Sequence, residues 1–179
     1  KYINADFAFY ADKLEGIGNR KTDMNLGGGS LLDIGVYPLF LCYVVLGIPT
    51  EILAKAHFHQ TGADLQTSMI LQYDNAQAIL HSSFVSTSNI KATINGTKGR
   101  INLNTLWHQT QSYTLTIADH EEEIVLPTKG KGFTYEIEEC HQCIRENRIE
   151  SSLWSHQNSL DLIKIVDRVR NQIGLEYPS

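Results

Sequence analysis

In "GGGSLLDIGVYPLFLCYVVLG", residues 27–47, a carboxylate stands inside an apolar run and a phenol follows it four residues later. Burying an ionisable group is costly unless the group is paired or used, so Asp33 needs a reason to be there. Tyr37, at i+4, lies near enough on one helical face to share a site with it. A carboxylate and a phenol one turn apart can bind a hydroxyl group and move its proton, which is general acid–base chemistry. The same carboxylate could instead accept backbone N–H groups at a helix start, and the spacing alone leaves both readings open. Gly27-Gly28-Gly29-Ser30 just before it could cradle a phosphate on free N–H groups. The Lys-[Ser/Thr] ending of a P-loop is missing, however, and close backbone packing is the favoured use of these glycines.

Three further clusters carry less chemistry. "GIGNRK", residues 16–21, holds a G-x-G but no third glycine and no helical pattern after it, so a dinucleotide fingerprint is not expected there. "CHQC", residues 140–143, has no second cysteine pair to complete a zinc site, and Cys140 falls on an apolar helical stripe, which predicts core packing. "HFH" puts His57 and His59 on one strand face without a third candidate ligand nearby, so a solvated face is expected and no metal site.

The elements that must position Asp33 and Tyr37 are legible from periodicity. Residues 2–9 read as a strand, 10–29 as a loop and 30–46 as a helix stopped by Gly47 and Pro49. Pro38 predicts a kink or break in that helix, and Tyr37 before it is pushed away from helical geometry. "EILAKAHFHQ" alternates as a half-buried strand, and two strands flank a tight Asp74-Asn75 turn. Two short strands surround Gly96 and Gly99, and a further hairpin has Asp119-His120 at its tip. Six or seven strands joined mainly by hairpins imply an antiparallel-dominated sheet. The period then changes: Phe133, Ile137, Cys140 and Ile144 predict one buried helical stripe, and Leu162, Ile165, Val169 and Ile173 another, with Ser155 as N-cap and Gly174 as stop. The fold class is α+β, an open sheet with helices on one face.

Composition narrows the function classes. The chain has 179 residues, 42% of them hydrophobic, and a net charge of −5, which argues against a nucleic-acid footprint. Asp33 and Pro38 interrupt the longest apolar stretch, so no run of the ~20 residues needed for a bilayer span is expected. Three cysteines do not make a disulfide framework, and a reducing cytoplasm is the expected home. A start at Lys1-Tyr2, leading almost directly into a strand, is expected of a segment of a longer protein.

"GGGSLLDIGVYP" resembles the C-terminal domain of the glucose–fructose oxidoreductase / inositol dehydrogenase family (Gfo/Idh/MocA), in particular its dihydrodiol and xylose dehydrogenase branch. The resemblance continues through "INGTKGRINL" and through "GFTYEIEECHQCIRENRIES" and "SHQNSLDLIKIVDRVRNQIG", and so covers nearly the whole chain. It implies a fold like the C-terminal domain of glyceraldehyde-3-phosphate dehydrogenase over residues 1–179. It further implies that an N-terminal Rossmann domain, carrying the NAD or NADP site and a Glu-Lys-Pro lysine, lies outside this chain. Asp33 and Tyr37 match the family's catalytic positions, and Arg20 and Gly29 are expected at the substrate. A sugar, polyol or diol is the implied substrate, and a homodimer through the sheet face the implied assembly, with Leu53, Met69 and Leu71 on the face that needs cover. Two other readings use the same fold: a non-catalytic binding module, or an assembly domain whose sheet pairs with itself.

Overall fold

Strand register decides which side chains meet the helices and which are left for something else. The computed structural model describes residues 1–14, 19–130 and 132–178. One sheet contains β1 (Tyr2–Ala8), β2 (Glu51–Phe58), β3 (Asp64–Tyr73), β4 (Ala76–Ser83), β5 (Ala92–Asn95), β6 (Gly99–Leu103), β7 (Ser112–Ile117) and β8 (His120–Val125). Its order is β2-β3-β4-β1-β5-β6-β7-β8, with β1–β4 the single parallel pair. The α+β, mostly antiparallel class is as expected, with eight strands in place of six or seven. Asp74-Asn75 forms the two-residue turn between β3 and β4. The last hairpin turns one residue earlier than expected, on Ala118-Asp119, because His120 already pairs with Ile117.

The helical part of the long apolar segment is wound in two ways. Leu31–Gly35 forms a π turn that runs directly into α1 (Val36–Leu46). Pro38 therefore does not break the helix, and Tyr37 is helical, contrary to the sequence expectation. The proline sits in the first turn of α1, where its missing N–H is tolerated, and the wider winding before it relieves the clash with the upstream carbonyl. α3 (His156–Ile173) begins at a capping box between Ser155 and Asn158 and stops at Gly174 with φ 76°. Leu39 and Cys42 of α1 and Ile165, Val166 and Val169 of α3 pack on Ile3, Ala5, Ala54, Leu71 and Leu80 of the sheet. Each large side chain buried this way contributes about 1.5–3 kcal/mol. Burial also pushes the Cys42 thiol up to about 12, so this cysteine is an inert core residue.

Four expectations need correction. α2 (Phe133–Arg145) has no buried residue: Phe133, Ile137, Cys140 and Ile144 are exposed, because no described part of the chain covers that stripe. Among the described residues, the π turn, α1 and α3 cover the sheet, and α2 does not. On the opposite face, Leu53 is 55% exposed, but Met69 and Leu71 are 1% exposed and point into the core. The register pairs Leu53 with Ile70 and Ile70 with Ile79, so these three form the outward row. His57 is exposed on β2, while a bulge after it leaves His59 beyond the strand, with Nδ1 3.0 Å from Thr61 Oγ1. Finally, Met24–Leu46 is long and apolar enough to cross a membrane, with mean hydropathy 1.8. Here Leu31, Ile34, Leu39 and Cys42 of that segment are instead buried within the domain.

Candidate active site

The site begins with a tryptophan that ties a loop to the sheet. Trp107, in the β6–β7 connection, is buried; its Nε1 donates to the Asp6 carbonyl at 2.8 Å and its backbone N–H to the Ile90 carbonyl at 3.2 Å. The next residue, His108, is thereby laid flat on Phe7 of β1, with centroids 4.2 Å apart and planes at 19°. Tyr37, from the first turn of α1, meets both rings edge-on, 5.4 Å from Phe7 and 5.6 Å from His108. Such contacts contribute about 0.5–1.5 kcal/mol each and fix the orientation of the phenol ring. Tyr37 is still 43% exposed and lines a cleft of about 690 Å³, within the usual range for small-molecule sites. Burial lowers the His108 imidazole below its ordinary value, which keeps it neutral at pH 7.

The rest of the cleft comes from the loop after His108 and from the entry to α2. Gln109, Thr110, Gln111, Thr128 and Glu136 offer carboxamides, hydroxyls and one carboxylate, and Phe133 offers an aromatic ring. On its other side, the Tyr37–His108 pair borders an apolar hollow of about 350 Å³ against Val36, Phe40, Trp107 and Leu162.

Asp33 stands one turn upstream of Tyr37 and is paired with Arg20 from the preceding loop; neither lines the cleft. The Arg20 guanidinium donates to both carboxylate oxygens of Asp33, at 2.8 and 3.4 Å. Their side chains are 66% and 24% exposed, so the pair contributes at most about 1 kcal/mol and acts mainly to orient the carboxylate. Asp33 does not cap the helix start. That task falls to Asp64 of β3, whose Oδ2 accepts from Ser30 Oγ at 2.8 Å, the Leu31 N–H at 2.9 Å and Thr67 Oγ1 at 2.7 Å. Burial raises the Asp64 carboxyl above its ordinary range, outweighing these three bonds and one from its own backbone N–H. Gly29 is buried beside Asp64 at φ 130°, where an added Cβ would run into Asp64 Oδ1. It does not line the cleft. Gly16 and Gly18 of the G-x-G lie outside the described residues.

Sequence reasoning missed His108 and Asp64. The first lies in a short polar loop without period, where the only signal is the large apolar Trp107 beside an imidazole. Asp64 opens a strand, a place where a carboxylate looks solvated, and its role appears only when β3 comes to rest against residues 29–31.

The architecture is that of a glyceraldehyde-3-phosphate dehydrogenase-like C-terminal domain. The chain belongs to the GFO/IDH/MocA C-terminal domain family, whose pattern matches residues 1–102. The scyllo-inositol 2-dehydrogenase (NADP(+)) IolU of Bacillus subtilis (strain 168) is 35% identical over 155 residues, covering 86% of this chain and 47% of that protein. The trans-1,2-dihydrobenzene-1,2-diol dehydrogenase of Xenopus tropicalis is 34% identical over 190 residues, covering 99% of this chain and 56% of that enzyme. Among solved structures, the aldose-aldose oxidoreductase of Caulobacter crescentus complexed with glycerol superposes with a TM-score of 0.80 at 16% identity, over 96% of this chain and 52% of that one. The chain thus spans about half the length of the curated relatives it matches.

Proposed function

We propose that this chain is the substrate-binding and dimerisation half of an NAD(P)-dependent oxidoreductase acting on a sugar, a cyclic polyol or a diol. The observation that carries this reading is Tyr37: an exposed phenol held by two flanking rings at the edge of a polar cleft, one turn from an oriented carboxylate. The dinucleotide cradle of such an enzyme is expected in its other half, as the resemblance implies, and this chain is read as the substrate side. When bound, the nicotinamide supplies a hydride acceptor. Tyr37 Oη takes the proton of the reacting hydroxyl, and Asp33, steadied by Arg20, orients the substrate or the phenol. A phenol ordinarily ionises near pH ~10, so a base of this kind needs a cation beside it. The Arg20 charge is already matched by Asp33, and the cation is expected from the other half of the enzyme, as the resemblance to a Glu-Lys-Pro lysine implies. Calorimetric titration of the 179-residue chain with NADPH should show no saturation in the micromolar range. A micromolar Kd would overturn the division of labour between the halves.

The two exposed apolar surfaces fit this role. Tyr37, Phe40 and Val44 on α1 give the helix layer an apolar outer side for the cofactor-binding half to cover, and the exposed stripe on α2 is a further apolar strip that needs cover. The row Leu53–Ile70–Ile79 on the opposite sheet face suits a second copy of the chain about a two-fold axis. The isolated chain is expected to sediment as a dimer at micromolar concentration, and Ile70→Lys with Ile79→Lys as a monomer. A monomeric wild-type chain would rule the sheet out as a sufficient dimer surface.

A further inference from the structure

We infer that His108 binds the substrate beside Tyr37: its imidazole donates a hydrogen bond through Nε2 to the oxygen whose proton Tyr37 receives, and holds that oxygen against the phenol. The inference rests on the oxidoreductase reading and adds a second residue to the proposed chemistry.

The imidazole is held in place from several sides. His108 sits in the short 3₁₀ turn Trp107–Gln109, which the Trp107 side chain ties to the sheet. Its ring is stacked on Phe7, meets Tyr37 edge-on at 69° and stands at 88° to Trp107, with centroids 6.1 Å apart. Contacts with Phe7, Tyr37 and Trp107 leave the ring little rotational freedom, so whatever nitrogen it offers to the cleft is offered at a fixed place.

That nitrogen is Nε2. The residue lines the cleft, yet Nδ1 is shut off from solvent and has no hydrogen-bond partner among the described residues. A ligand can therefore reach only Nε2. Burial keeps the imidazole uncharged at pH 7, so it carries a single N–H. A buried N–H without an acceptor is avoided more strongly than a buried lone pair without a donor, which puts the proton on Nε2 and makes it a donor. If stacking were the whole task, a phenylalanine would complete this group of rings without burying a nitrogen.

Tyr37 and His108 line the same cleft with their ring centroids 5.6 Å apart. One substrate oxygen between them gives its proton to Tyr37 Oη and accepts from Nε2 through a lone pair, while His108 keeps its own proton throughout. That hydrogen bond strengthens as negative charge develops on the oxygen, so it favours the reacting state over the bound substrate. Being uncharged, the imidazole complements the cation that the phenol needs and does not replace it.

The test uses the full-length protein that carries this domain, with scyllo-inositol, D-xylose and trans-1,2-cyclohexanediol as probes. Binding is measured by calorimetry in the presence of NADP+, and turnover separately as NADPH formation. His108→Phe keeps a ring on Phe7 and against Tyr37 and removes only the nitrogens. It is expected to lower kcat on the best probe roughly 10–100-fold, with the melting temperature within about 2 °C of wild type. His108→Gln gives up the stack but returns an amide N–H near the place of Nε2. It should melt lower than His108→Phe and yet turn over at least about threefold faster. A purely structural ring predicts the reverse order, with His108→Phe active and His108→Gln impaired, and that result would overturn the inference. So would a His108→Gln enzyme no faster than His108→Phe, or no binding of any probe. Binding without NADPH formation from any probe would count against the oxidoreductase reading. The inference would then stand if His108→Phe weakened that binding at least about threefold, and fall if it did not. Turnover by the wild type that His108→Phe leaves unchanged would keep the oxidoreductase reading and remove His108 from it.

Discussion

Tyr37→Phe in the full-length enzyme is expected to lower kcat by roughly 10²–10⁴-fold while the Kd for NADPH changes less than about twofold. The substitution removes only the phenolic oxygen. The ring keeps its edge-on contacts with Phe7 and His108, so the wall of the cleft keeps its shape. What is lost is the atom proposed to receive the substrate proton at the chemical step, which appears in kcat and not in cofactor affinity. Asp33→Asn separates the two original readings of that carboxylate. Because Asp64, and not Asp33, holds the N–H of Leu31, the variant should fold normally and lose activity as its charge and its pairing with Arg20 weaken. A Tyr37→Phe enzyme that turns over like wild type would remove the phenol from the mechanism.

The proposed pair stands out in the sequence because its signals are local. Asp33 and Tyr37 lie four residues apart in one apolar segment, and a charge that interrupts such a run stands out whatever the tertiary structure. The hairpins and α3 were legible for the same reason: the Asp74-Asn75 turn and the Ser155 cap are written into adjacent residues. What could not be read depends on who covers whom. The stripe on α2 has the period of a buried helix, yet it is exposed, since periodicity reports that a face is apolar and not what lies against it. Met69 and Ile70 differ by one position along β3, and only the pairing of Ile70 with Leu53 and Ile79 shows which of them faces outward. Pro38 misled in a related way. Its local rule predicts a break, and a π turn upstream, invisible to any periodic template, makes room for the ring.

Gly29→Ala is expected to destabilise the fold by about 3 kcal/mol or more, since it combines backbone strain with a steric collision. At φ 130° a residue with a Cβ is strained whatever surrounds it, and here the added carbon would also enter the space of Asp64 Oδ1. Asp64 cannot simply move away. Its other oxygen holds Ser30, Leu31 and Thr67, and displacing it would leave those buried donors unsatisfied at the start of the turn that carries Asp33. For a domain of this size the melting temperature should fall by roughly 6–12 °C. In an Asp64→Ala background, which is itself weakened, the further cost of Gly29→Ala should shrink to the strain alone, about 1–3 kcal/mol, because the collision partner is gone. The same variant tests whether Gly29 serves the substrate directly. If its small size only let a sugar approach, Gly29→Ala would keep the wild-type melting temperature and raise KM. A melting temperature within about 2 °C of wild type would therefore refute the packing role, and a large drop with no selective rise in KM would place Gly29 in the scaffold behind Asp33.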